Sequence, residues 1–141
     1  MASIPHSEPP PRPVGHEQLE GELDRMLLRF DLPGELAHLR QQPAWKDGSG
    51  PSSTTLVKHP NLRVVLVALR AGQRMPDHRT VARITVHMLE GRMRLHLGSG
   101  PQELRQGELL ALGRNLEHDV EAIEDSAFLL TLAWPNPEDC K

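Results

Sequence analysis

Two histidines stand at spacings from glycine that could build a reactive site: His78, which ends the run Gly72-Gln-Arg-Met-Pro-Asp-His78, and His118, which ends the longer run that begins at Gly107. A pair of imidazoles brought together from separate strands can hold a divalent metal or move a proton near neutral pH. Each also has a plainer reading, a neutral core histidine that donates one ring proton to a backbone carbonyl. Other reactive groups are scarce. The chain has no tyrosine, so no phenol can serve as an acid, and its single cysteine, Cys140, is the penultimate residue, poorly placed for a shielded nucleophile or a zinc cluster.

Composition narrows the setting. A chain of 141 residues can bury one core, and with 16 basic against 19 acidic residues it carries no basic stripe to meet a phosphate backbone, so no nucleic-acid partner is expected. No apolar run approaches a membrane span, and the Met1-Ala-Ser-Ile-Pro5 start lacks the features of a signal peptide. The expectation is a cytoplasmic protein with no membrane partner.

The elements that must position the histidines follow from periodicity. Residues 1–16 hold Pro5, Pro9, Pro10, Pro11, Pro13 and Gly15, which predicts a flexible Pro-rich tail. Residues 17–45 read as a helical segment. Leu19, Leu23, Met26, Leu27 and Phe30 recur at helical spacing over Glu17 to Phe30, and a second short helix is expected from Pro33 to Gln42, capped by Asp31 and closed by Pro43. Residues 46–53 read as a linker. From residue 54 to 134 the period becomes two, and eight strands are expected: 54–58, 62–69, 83–89, 92–97, 102–105, 109–112, 117–123 and 127–134. Many short antiparallel strands with regular turns predict an all-β sandwich or jelly roll.

Facing follows from the turns. The pair Glu90-Gly91 predicts a two-residue hairpin in which Leu89 pairs with Arg92, Met88 with Met93 and Ile84 with Leu97. Ile84, Val86, Met88, Met93, Leu95 and Leu97 then share the core face, while His87 and His96 fall on the other side. Extending the same alternation back along the chain sends Ala82, Thr80 and His78 inward, and the pattern around Val120 and Ala122 sends His118 inward too. Arg79 and Arg83 point away, an exposed charged face rather than an anion clamp.

These spacings resemble the two motifs of the cupin superfamily. The first, Gly, five residues, His-x-His, a glutamate and a closing Gly, is matched by Gly72, His78, Thr80, Ile84 and Gly91; the second, Gly, five residues, Pro-x-Gly, two residues, His, three residues, Asn, by Gly107, Gly113, Asn115, His118 and Ala122. The resemblance covers about residues 54–134 and implies a cupin double-stranded β-helix, a jelly-roll barrel, there; the one or two short N-terminal helices expected before it come from the periodicity alone. It also implies metal ligands at His78 and His118. The other two ligand positions are occupied by Thr80 and Ile84, of which the first is a poor ligand and the second none.

The resulting expectation is a small single-domain cupin whose pocket, lined by His78, Thr80, Ile84, Met88, His118, Met75 and Val120, binds a small, largely apolar molecule or a weakly held metal. The alternative is a metal-dependent enzyme, dioxygenase- or isomerase-like, in which His78 and His118 hold zinc, iron or nickel. A third reading is a structural protein that acts through its helices and tail. A homodimer is expected, because Leu62 to Leu69 is apolar at nearly every position and so covered on both faces.

Overall fold

The computed structural model describes residues 27–78 and 80–135. The Pro-rich tail and most of the expected first helix lie outside them. Residues 27–30, the end of that expected helix, are not helical. The first helix described is α1 (Leu32–Leu39), which starts after Asp31 with Pro33 in its first turn, as the capping pattern predicts, although the Asp31 side chain makes no cap hydrogen bond. It stops at Leu39 rather than Gln42. Pro43 does not simply close it but opens a second short helix, α2 (Pro43–Asp47), because a proline is well suited to a first turn, where its missing N–H has no partner to lose. At the end of α2 the Asp47 carboxylate accepts hydrogen bonds from the Ser49 side chain and from the Ser49 N–H, the latter at 2.9 Å, which hold its pKa below the usual carboxylate range.

Nine strands follow: β1 (Ser52–His59), β2 (Leu62–Leu69), β3 (Arg74–His78), β4 (Arg83–Glu90), β5 (Arg92–Leu97), β6 (Gly100–Arg105), β7 (Leu109–Leu112), β8 (His118–Ala122) and β9 (Ser126–Ala133). They form two antiparallel sheets, one ordered β1-β2-β9-β4-β7 and the other β3-β8-β5-β6. Between the sheets lies one apolar core that includes Val67, Leu69, Ile84, Val86, Met88, Met93, Leu95, Leu112, Val120 and Phe128. No helix among the described residues is long and apolar enough to cross a membrane.

Two expectations about connectivity are corrected. β4 and β5 do not form a hairpin: β4 pairs with β7 and β9 in one sheet, and β5 with β6 and β8 in the other. Gly91 is therefore a corner that carries the chain from one sheet to the facing one. The inward set is nevertheless the one expected, since alternation within each strand does not depend on which strand lies beside it. Likewise the chain does not stay extended from His78 to Arg83: it bends at residues 81–82 as it passes from β3 in one sheet to β4 in the other, so the alternation of β4 cannot be carried back to Thr80.

The apolar character of β2 also has a local cause. Its odd residues Val65, Val67 and Leu69 face the core, while Leu66 and Ala68 are covered by Leu36 and Leu39 of α1 and Trp45 of α2. The chain's own helices supply that part of the second cover, and a partner subunit is not needed there.

Candidate functional site

His118 opens β8, where His118, Val120 and Ala122 are buried and Asp119 and Glu121 are only half so. The inward direction read from the sequence is thus the one the strand adopts. With 5% of its surface exposed, His118 is buried. Its Nδ1 lies 3.0 Å from the carbonyl of Leu116, and since a carbonyl only accepts, a proton on Nδ1 donates to it.

The backbone brings the second histidine opposite it. β3 pairs with β8 so that His78 faces His118 and Met75 faces Val120, with an irregularity between. Leu97 of β5 is the partner of His118 on its other side. Val120 is buried and Met75 packs partly buried against the same core.

The remaining expected pocket residues are divided. Ile84 is buried in β4, opposite Leu112 and Leu132. Met88 lies four residues further along, about 13 Å by strand rise, beside Phe128 and close to the Gly91 corner. His118 and Leu97 lie at the end of their strands away from that corner, so Met88 is fully buried core packing rather than a companion of His118. Thr80 is half-buried, and its hydroxyl accepts the Ala82 N–H at 3.2 Å; it braces the bend between β3 and β4.

The loop before His118 is tied to that same bend. Asn115 N–H donates to the Thr80 carbonyl at 2.9 Å and Arg114 Nε to the Val81 carbonyl at 2.8 Å. Asn115 has φ 61, the one non-glycine residue of the described chain in the left-handed region, at the position where the second motif has a glycine. Asparagine enters this region more readily than other side chains. Asn115→Gly is therefore expected to keep the loop within about 1 kcal/mol of the parent, whereas Asn115→Val should cost about 1–2 kcal/mol more. Urea unfolding of the two variants measures the difference.

Frame glycines Gly72 and Gly107 have φ 88 and 86, so both motifs keep their turn geometry as well as their spacing. Two sheets in this strand order, with the paired motif strands β3 and β8, make a jelly-roll barrel. The sequence matches no protein-family model, and no curated protein is significantly similar to it. Solved structures do share its fold. A conserved Streptococcus pyogenes protein of unknown function aligns at TM-score 0.62 and 19% identity, over 79% of this chain and 91% of its own. A cupin superfamily protein from Desulfitobacterium hafniense aligns at TM-score 0.58 and 12% identity, over 59% of this chain and 76% of its own. The chain has the cupin fold. Salicylate 1,2-dioxygenase from Pseudoaminobacter salicylatoxidans shares the cupin architecture at TM-score 0.66 and 15% identity, matching 74% of this chain but 34% of the dioxygenase.

Whether this barrel fits a metal is a question for its donor set. Among the described residues no group of three or more His, Cys, Asp or Glu could hold a metal ion. Ile84 offers no donor and the Thr80 hydroxyl is engaged with Ala82. Thr80 and Ile84 therefore do not complete, with His118, the ligand set of a tightly held catalytic metal.

A feature the sequence did not signal lies at the end of the same sheet where β5 finishes and β8 begins, reaching round to its outer side. His96, Leu97, Asn115, Leu116, Glu117 and Asp119 line an open concavity of about 650 Å³. His96 stands on this outer side, its Nε2 3.2 Å from Glu121 Oε1, as its alternation with Leu95 and Leu97 predicts. Parity tells which side of a sheet a residue faces, but not that two loops will rise around it.

Proposed function

We propose that the protein binds a small, largely apolar molecule inside the barrel, at the end where β3 and β8 pair through His78 and His118. The reading rests on His118: a buried imidazole, oriented by the contact of its Nδ1 with the Leu116 carbonyl at 3.0 Å, stands on the inner face of β8 beside apolar side chains, where a polar group can fix the orientation of a bound molecule. Ile84, Val120 and Met75 supply the apolar wall. A ligand with one hydroxyl or N–H and a compact apolar body suits such a lining.

The experiment is native mass spectrometry of untagged protein, searching for a retained small molecule, with metal content measured on the same sample. The expected result is a retained organic mass that falls at least about tenfold in occupancy in His118→Ala, the loss of one well-made hydrogen bond to a buried group. Equal retention in parent and variant would refute the pocket assignment.

The second reading is a weakly held divalent metal, zinc, iron or nickel, at His78 and His118, serving a dioxygenase- or isomerase-like activity. The favourable observations are the contact of His118 Nδ1 with the Leu116 carbonyl, a common arrangement of metal-binding imidazoles, and the β3–β8 register that sets the two histidines opposite. Against it stands the missing carboxylate at Ile84. Metal well below one equivalent after reloading with each ion would eliminate this reading and leave the first intact.

A further inference from the structure

The inner face of the five-stranded sheet carries charge at one end of the barrel. Strand register sets Lys58 beside Arg63, Arg63 beside Leu132, Leu132 beside Ile84 and Ile84 beside Leu112, one row across the sheet. Residues directly opposite in a ladder share a face, and Ile84, Leu112 and Leu132 belong to the core, so Lys58 and Arg63 lie on the inner side too. The row runs at the end of the barrel away from the Gly91 corner, the end at which His118 and Leu97 stand in the facing sheet. Two half-buried cations thus continue the apolar wall that Ile84 supplies.

Trp134 belongs to the same end. Its backbone N–H donates to the Asn61 carbonyl at 3.0 Å, which extends the β2–β9 ladder by one step and keeps the alternation of Leu130 and Leu132. The Arg63 guanidinium lies 5.3 Å from the centroid of its ring, as two side chains on the inner side would. The indole is 5% exposed, yet its buried Nε1–H has no acceptor among the described residues. A buried donor without an acceptor calls for an explanation, and a bound acceptor supplies one.

The chemistry of that acceptor follows from the donors. The guanidinium fork, the Lys58 ammonium and the indole offer only N–H groups, a set that suits anionic oxygen, and the planar fork of Arg63 suits a carboxylate. Leu132 and Ile84 come next in the row and suit an apolar body. We propose that the barrel ligand is a small monocarboxylic acid, its carboxylate held by Arg63 and Lys58 and accepting the Trp134 Nε1–H, its body against Leu132 and Ile84. The proposal rests on the barrel reading above and adds a charged end that His118 does not specify.

Isothermal titration of the full chain with cyclohexanecarboxylate, cyclohexanecarboxamide and cyclohexylmethylamine, alike in shape and different in charge, tests it. The acid is expected to bind at least about tenfold more tightly than the amide, and the amine most weakly. Arg63→Met should weaken the acid at least about tenfold and leave the amide within about twofold. Trp134→Phe, which keeps a ring and removes the N–H, should weaken the acid severalfold; with Lys58→Met it carries the test if Arg63→Met fails to fold. Equal affinity for acid and amide, a preference for the amine, or an acid affinity indifferent to these variants overturns the proposal; the barrel reading survives if His118→Ala weakens whichever probe binds. Binding of none of the three at millimolar concentration also overturns it, and the mass retained by parent and His118→Ala then decides the barrel reading alone.

Discussion

Gly91→Ala is expected to destabilise the protein by about 2–5 kcal/mol, enough to remove much of the stability of an ordinary domain. Gly91 has φ 83, which costs an alanine about 1–2 kcal/mol. The added methyl would also collide with the Asp125 carbonyl and with Cα and Oγ of Ser126. Those atoms cannot yield easily. The fully buried Ser126 hydroxyl accepts the Arg92 N–H at 3.0 Å and donates to the Glu124 carbonyl at 2.7 Å, locking the β8–β9 turn against the β4–β5 corner. Relieving the collision means breaking that lock or moving two sheets apart, an overpacking cost of about 1–3 kcal/mol beyond the backbone strain. Urea unfolding should show a lower midpoint at unchanged slope. An effect below about 0.5 kcal/mol would mean that the corner is compliant, and that the closing glycine of the first motif is not a rigid requirement.

Why Gly91 reads as a hairpin in sequence and proves to be a corner shows which part of this fold was legible. Alternation is a property of one strand, so the inward set of β4 and β5 and the inward direction of His118 could be read without knowing any partner. Sheet membership belongs to pairs of strands far apart in sequence, and nothing near Glu90-Gly91 states that β4 will pair with β9 and β5 with β8. β3 escaped notice as a strand because Arg74-Met-Pro-Asp-His78 has neither alternation nor β-branched residues; its register comes from β8. The same distinction divides the candidate site. Motif spacing found His78 and His118, and the β3–β8 ladder sets them opposite. Met88 was placed beside them on direction alone, and direction does not report distance along the strand. The covering of β2 lay beyond reach too, since a doubly apolar strand does not say whether helices or another subunit will lie on it.

Trp45 is where that covering is held, and Trp45→Ala is expected to cost about 3–5 kcal/mol. The indole is buried against the outer face of the five-stranded sheet with Leu36, Leu39, Leu66 and Ala68. Two guanidinium groups lie over its ring, Arg70 at 4.7 Å and Arg40 at 5.2 Å from the centroid. Arg70 Nε also donates to the Trp45 carbonyl at 2.7 Å, and Gln73 Nε2 to that of Gly48 at 3.0 Å, so α2 is tied to the β2–β3 connection from two sides. α2 has five residues, too few to be helical alone, and its place depends on this anchor. Trp45→Phe should retain most of the stability, because a ring remains between the cations, whereas the alanine variant loses both the buried area and the stacking. Truncation would further uncover Leu66, Ala68 and Ala127 and so open an apolar patch to solvent. The Trp45→Ala chain should therefore unfold at lower urea and also associate more than the parent in light scattering, while Trp45→Phe does neither. If the alanine variant loses less than about 1 kcal/mol, the helices are a loose cover, and the apolarity of β2 must be accounted for by the partner subunit instead.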